Sequence, residues 1–145
     1  MPGSTTIGAM LDAARERIDR LEPSEALAAQ QGGALLIDTR AGETRAGLGV
    51  IPGAVHVPLS VLFWRLDPTS EWHDPRLSDR DRQVILFCSH GFSSSLAAAT
   101  LRDLGFARAA DIAGGFEAWA VAGLPVEPAP PSGSTIPTEA AGPDR

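Results

Sequence analysis

Two short apolar runs stand out along the chain, Ala34-Leu35-Leu36-Ile37-Asp38 and Val84-Ile85-Leu86-Phe87-Cys88. Neither alternates with polar residues, which is the pattern of a strand covered on both faces. A third segment, Ala109-Ala110-Asp111-Ile112, reads as a shorter strand. Helical spacing lies between and around them. Ile7, Met10, Leu11 and Ala14 recur at three- and four-residue intervals ahead of Arg15, Glu16 and Arg17, predicting a short amphipathic helix capped by Ser4, Thr5 or Thr6. Pro23 suits the first turn of a second helix, running to about Gln30 and stopping at Gly32-Gly33. Ser94 to Leu104 is rich in alanine and leucine and is closed by Gly105, and Gly115 to Val121 reads as a last helix. Strands alternating with helices predict an α/β fold, a parallel β-sheet with helices on both faces.

Composition narrows the function. A chain of 145 residues, 43% of them hydrophobic, fits one domain with a single core. No run approaches the roughly 18 apolar residues of a membrane span, and no secretory leader is expected. The net charge is −6 with no basic block, so nucleic acid is not an expected partner. His56, His73 and His90 are scattered and none is closely spaced with Cys88, so no metal site is expected. One cysteine permits no internal disulfide, and the reducing cytoplasm is the expected compartment. Residues 127–145 are rich in Pro, Gly, Ser, Thr and Ala with almost no large apolar side chain, the composition of a disordered tail that adds nothing to folding.

Cys88 is the candidate chemical centre. It falls at the carboxyl end of a buried strand, ahead of the turn Ser89-His90-Gly91-Phe92-Ser93-Ser94 and a helix, where open α/β sheets bind ligands. Successive backbone N–H groups in such a turn form an anion-holding nest, and the helix N-terminus adds partial positive charge. Both favour the thiolate. Small residues here let amides approach a bound anion, and the serines offer hydroxyl donors.

Four segments in order then resemble the rhodanese family: Leu36-Ile37-Asp38-Thr39-Arg40, Gly49-Val50-Ile51-Pro52-Gly53-Ala54-Val55-His56-Val57-Pro58, Cys88 to Ser94, and Gly114-Gly115-Phe116-Glu117-Ala118-Trp119. The resemblance covers about Ile18 to Val126. It implies a rhodanese-like domain over residues 18–126, preceded by a helical extension (1–17) and followed by the tail (127–145). It implies a sulfurtransferase in which Cys88 takes sulfane sulfur from a small anionic donor, such as thiosulfate or a persulfide, and passes it to a thiol or cyanide, with no cofactor. Residues 89–94 would form the substrate-binding loop. Asp38 and Arg40 would support it, most simply as an ion pair bracing loops. Arg65, with Arg45 as a similar candidate, lies in a segment that could cover the mouth of the site, although for either one a solvated surface arginine is the more common case. His90 reads equally as a proton-sharing group or a solvated side chain, and Trp119 with Phe116 as core packing.

Two departures bear on activity. The family commonly carries an arginine five residues after the cysteine, where Ser93 stands; its loss predicts weak use of thiosulfate, with Arg65 as a partial substitute. Val50 replaces the usual histidine before Ile-Pro-Gly-Ala. A catalytically weak sulfur carrier that binds another protein is therefore the alternative reading. A cysteine phosphatase ranks last, because it needs an arginine six residues after the cysteine, where Ser94 stands.

Overall fold

The computed structural model describes residues 3–130. Along them run α1 (Ile7–Glu16), β1 (Asp19–Leu21), α2 (Pro23–Gln31), β2 (Leu35–Asp38), α3 (Gly42–Leu48), β3 (Val55–His56), α4 (Leu62–Leu66), β4 (Val84–Phe87), α5 (Ser93–Asp103), β5 (Ala109–Ile112) and α6 (Gly115–Val121). The sheet is parallel throughout, in the order β1-β5-β4-β2-β3. The two unbroken apolar runs become β2 and β4, each flanked by strands and buried at all four residues.

Alternation along these strands splits the core into two layers. Leu35, Ile37, Val84, Leu86 and Ala109 face one layer with Ala14 of α1, Leu62 and Leu66 of α4, and Ala97, Ala98 and Leu101 of α5. Leu36, Ile85, Phe87, Ala110 and Ile112 face the other, with Ala26 of α2 and Phe116 and Trp119 of α6. The same alternation turns Asp111 toward α5, fully buried. Trp119 is also fully buried and donates its indole N–H to the Pro125 carbonyl at 2.8 Å.

β1, α3, β3 and α4 have no counterpart in the sequence reading. With three and two residues, β1 and β3 are too short to show a period; they exist because each lies beside a longer strand, β5 and β2. Both ends of the described segment are tied to the fold. α1 caps its own start through Thr6, whose hydroxyl accepts from Ala9 N–H at 3.0 Å, and Ala14 is buried in the α5-side layer. Glu127, first residue of the expected tail, exchanges both backbone hydrogen bonds with Val50, at 2.8 and 2.9 Å. Residues 131–145, the rest of that expectation, lie outside the described residues.

Deleting residues 1–17 therefore strips one face of α5. The lost burial and hydrogen bonds amount to about 2–3 kcal/mol, which should lower the thermal midpoint by roughly 5–10 °C. A midpoint equal to that of the full chain would make α1 a mere appendage.

Candidate active site

β4 ends at Phe87 and delivers Cys88 to the carboxyl edge of the sheet, with α5 beginning at Ser93. No side chain caps α5, and the chain ahead of it instead curls around the Cys88 sulfur. Gly91 N–H donates to Sγ at 3.2 Å, and Sγ lies 3.4 Å from Ser94 Oγ as its donor. Burial alone would push the thiol up. Hydrogen bonds from the Ser94 and Ser93 hydroxyls and from the Ser94 and Gly91 N–H groups outweigh burial and hold it below its ordinary value.

The turn opening α6 presses against this loop. Phe116 and Glu117 N–H donate to the Cys88 and Ser89 carbonyls at 2.8 and 3.1 Å, which turns those carbonyls away from the sulfur. Contact this close requires two glycines. Gly115, at φ 63°, would set a Cβ 2.5 Å from the Cys88 carbonyl oxygen, and Gly91, at φ 85°, would set one 2.8 Å from Gly114 N.

Cys88 opens into a cavity of about 350 Å³ walled by Thr39, Arg40, Thr44, Ser89, His90, Phe92 and Ser93. His90 and Ser89 also border a second, more apolar hollow of about 500 Å³ floored by Leu48, Phe116, Ala120 and Val121. At the rim His90 Nε2 meets Glu117 Oε2 at 2.7 Å, both side chains well exposed.

Of the candidates, residues 89, 90, 92 and 93 share the cavity with Cys88, while Ser94 is buried behind the sulfur. Asp38 sits beneath the cavity in a buried network. It takes two bonds from Arg40, at 2.9 and 2.7 Å, and one from Arg45 at 3.1 Å. Arg45 reaches His56 Nδ1 at 3.1 Å, and His56 Nε2 lies 2.7 Å from the Arg40 carbonyl. Arg40 also lies on the Phe116 ring, 4.0 Å from its centroid, and donates to the Gly49 carbonyl at 2.8 Å. Its guanidinium is committed to holding loops. Arg65 is not among the residues lining either hollow: it is buried, paired with Asp74 at 3.5 Å and bonded to the Trp72 carbonyl. It ties down the segment after α4, so the expected substitute for the loop arginine stands elsewhere. No group of side chains suited to a metal ion occurs among the described residues, and no helix among them is long and apolar enough to cross a membrane.

The sequence reading missed Arg15, Arg20 and Asp111, which surround the loop from behind. The one available signal was an aspartate inside the otherwise apolar run of β5.

The family model for the rhodanese-like domain matches residues 22–122. A thiosulfate sulfurtransferase GlpE of Pseudomonas entomophila is 38% identical over 100 residues, 69% of this chain and 83% of that one. A Rhodopseudomonas palustris structure, of a protein of unknown function described as a possible tyrosine phosphatase, is 35% identical with a TM-score of 0.79, covering 88% of this chain and 99% of that one. A thiosulfate sulfurtransferase of Pseudomonas aeruginosa is 27% identical with a TM-score of 0.61, over 86% of this chain and 21% of that one.

Gly115→Ala tests whether this packing activates the sulfur. With its Cβ against Cys88 O and Gly91 N, at 2.5 and 2.8 Å, the loop must shift. Alkylation of Cys88 at neutral pH should slow about 10-fold or more as the donors leave the sulfur. An unchanged rate would show that the loop contacts are incidental.

Proposed function

The chain belongs to the rhodanese-like domain family, and on that premise we propose that it is a sulfurtransferase working through a persulfide on Cys88. The supporting observation is a sulfur that faces an open cavity while N–H and hydroxyl groups favour its negative form. In the first step the Cys88 thiolate attacks the outer sulfur of the donor. The new S–S bond forms as the donor's own S–S bond breaks, and its electron pair leaves with the remainder, sulfite in the case of thiosulfate. The resulting Cys88–S–S⁻ carries a single charge that amides and hydroxyls can hold. In the second step an acceptor thiolate or cyanide attacks that outer sulfur, and the electron pair returns to Cys88 as thiolate.

The donor is set by what the cavity lacks. Its one arginine, Arg40, gives its hydrogen bonds to Asp38 and Gly49. Thiosulfate therefore meets the loop dipoles and one guanidinium turned mainly to Asp38 and Gly49, with only its Nη1 unpartnered, while a singly charged persulfide is matched to the loop donors. A charge-assisted hydrogen bond contributes about 1.5–3 kcal/mol against roughly 1 for a neutral one. Ser93→Arg should accordingly raise kcat/KM for thiosulfate by about 2- to 30-fold, and an unchanged rate would mean that donor recognition does not depend on a loop cation.

A phosphatase reading is raised by the description of the Rhodopseudomonas palustris protein. It needs a bidentate cation on the phosphoryl oxygens, whereas Ser94 is buried with its hydroxyl on Asp111 at 2.8 Å. A dianion at the sulfur would also lie near that carboxylate.

The experiment is intact-mass measurement after exposure to thiosulfate or to a small persulfide. Wild type should gain about 32 Da, one sulfur, reversed by a reducing thiol, and Cys88→Ser should gain none. An unmodified wild type with both donors would overturn the sulfurtransferase reading, and Cys88-dependent hydrolysis of an aryl phosphate would favour the phosphatase.

A further inference from the structure

Two arginines ahead of the family match reach the back of the Cys88 loop. Arg15 of α1 donates to the Gly91 carbonyl at 2.8 Å and to Ser95 Oγ at 3.2 Å. Arg20 of β1 donates to the same carbonyl at 3.0 Å. Gly91 has no side chain to hold it, so these bonds fix the residue whose N–H points at the sulfur. Arg20 also grips Asp111 through both carboxylate oxygens, at 3.0 and 3.3 Å. Asp111 is fully buried and accepts from the Ser94 and Ser95 hydroxyls at 2.8 and 2.7 Å.

Ser94 has one hydroxyl proton and two claimants for it. With Cys88 as thiol, S–H donates to Ser94 Oγ and the Ser94 proton goes to Asp111. Once the thiol proton passes to solvent, the same arrangement would aim an oxygen lone pair at a negative sulfur. The hydroxyl must then turn from Asp111 to Sγ, which is favourable only if the carboxylate keeps other partners. Arg20 is such a partner through both oxygens, and Ser95 is one when its single hydroxyl proton lies on Asp111 at 2.7 Å rather than on the Gly91 carbonyl at 3.2 Å.

We propose that Arg20 is a positioning residue for Cys88: it neutralises Asp111, so that the Ser94 hydroxyl is released to the anionic sulfur, and it holds Gly91 on the opposite side. The missing loop cation is thereby answered from beneath the loop, without contact with substrate. The other charged groups around Cys88 have partners of their own: Arg40 is bonded to Asp38 and Gly49 through Nε and Nη2, with Nη1 unpartnered, His90 and Glu117 pair at the rim, and Arg15 holds Gly91 and Ser95. The inference rests on Cys88 as the reacting thiol. Its test needs no sulfur donor, so it can fail independently of persulfide formation, which intact mass decides.

The test is iodoacetamide alkylation of Cys88 across pH in the full chain, comparing Arg20→Met, Asp111→Asn, the double variant and Arg20→Lys. Arg20→Met leaves a bare carboxylate near the sulfur. Alkylation at neutral pH should slow about 3- to 10-fold, with its pH midpoint moved up. Asp111→Asn removes the negative charge and frees both serine hydroxyls, so its midpoint should move down. The double variant should return to within about twofold of wild type, and Arg20→Lys should recover part of the loss. A merely structural role would move both single variants the same way. That result, or folded single variants with unshifted midpoints, would overturn the proposal. If Arg20→Met does not fold, Asp111→Asn still decides, because it leaves no unpaired buried anion: a midpoint unmoved or moved up would contradict the role of Arg20.

Discussion

Keeping a sulfur negative where the chain buries it is the demand on which the rest of the structure depends. Burial favours the neutral thiol, so the negative form needs donors fixed before the charge appears. Gly91 N–H, the start of α5 and the serine hydroxyls supply them. Each can be in place only because something else is. β5 lies beside β4, so the Gly114-Gly115 turn lands against the Cys88 loop, and α6 takes that loop's carbonyls. α1 and β1 bring two arginines beneath it. The sheet order, two glycines and the N-terminal segment all meet at one loop.

Much of this frame was legible in the chain. Unbroken apolar runs marked β2 and β4 because those strands are covered on both faces, and Pro23, Gly32-Gly33 and Gly105 bounded helices by ordinary stop and start chemistry. The strand–Cys–turn–helix order placed the sulfur before any contact was known. What escaped was long-range. β1 and β3 are held by neighbours rather than by a pattern of their own, and Arg20 reaches Asp111 across 91 positions in the chain. Arg65 shows the reverse. It carries the right charge in a segment near the site, yet the buried carboxylate of Asp74 claims it. Pairing within a fold is a competition among distant groups, which spacing does not record.

The electrostatics divide by side. Behind the loop, Arg15 and Arg20 act on the Gly91 carbonyl, and Asp111 tempers that charge. In front, the cavity is polar, and its single guanidinium sits over the Phe116 ring with Asp38 as its partner. The donors that touch the Cys88 sulfur belong to the loop, and the guanidinium in front is turned mainly to Asp38 and Gly49. That division suits the monoanionic persulfide of the proposed reaction. The more apolar hollow beside it shares His90 and Ser89 with the sulfur's own cavity.

The most direct measurement of the central claim is a pH titration of thiolate absorbance near 240 nm, wild type against Cys88→Ser, in folded and denatured protein. The single cysteine makes the difference spectrum report Cys88 alone. Because the folded thiol is held below its ordinary value, the folded midpoint should lie at lower pH than the denatured one. A folded midpoint equal to the denatured one, or above it, would mean that burial wins over the loop donors, contradicting an activated sulfur at the end of β4.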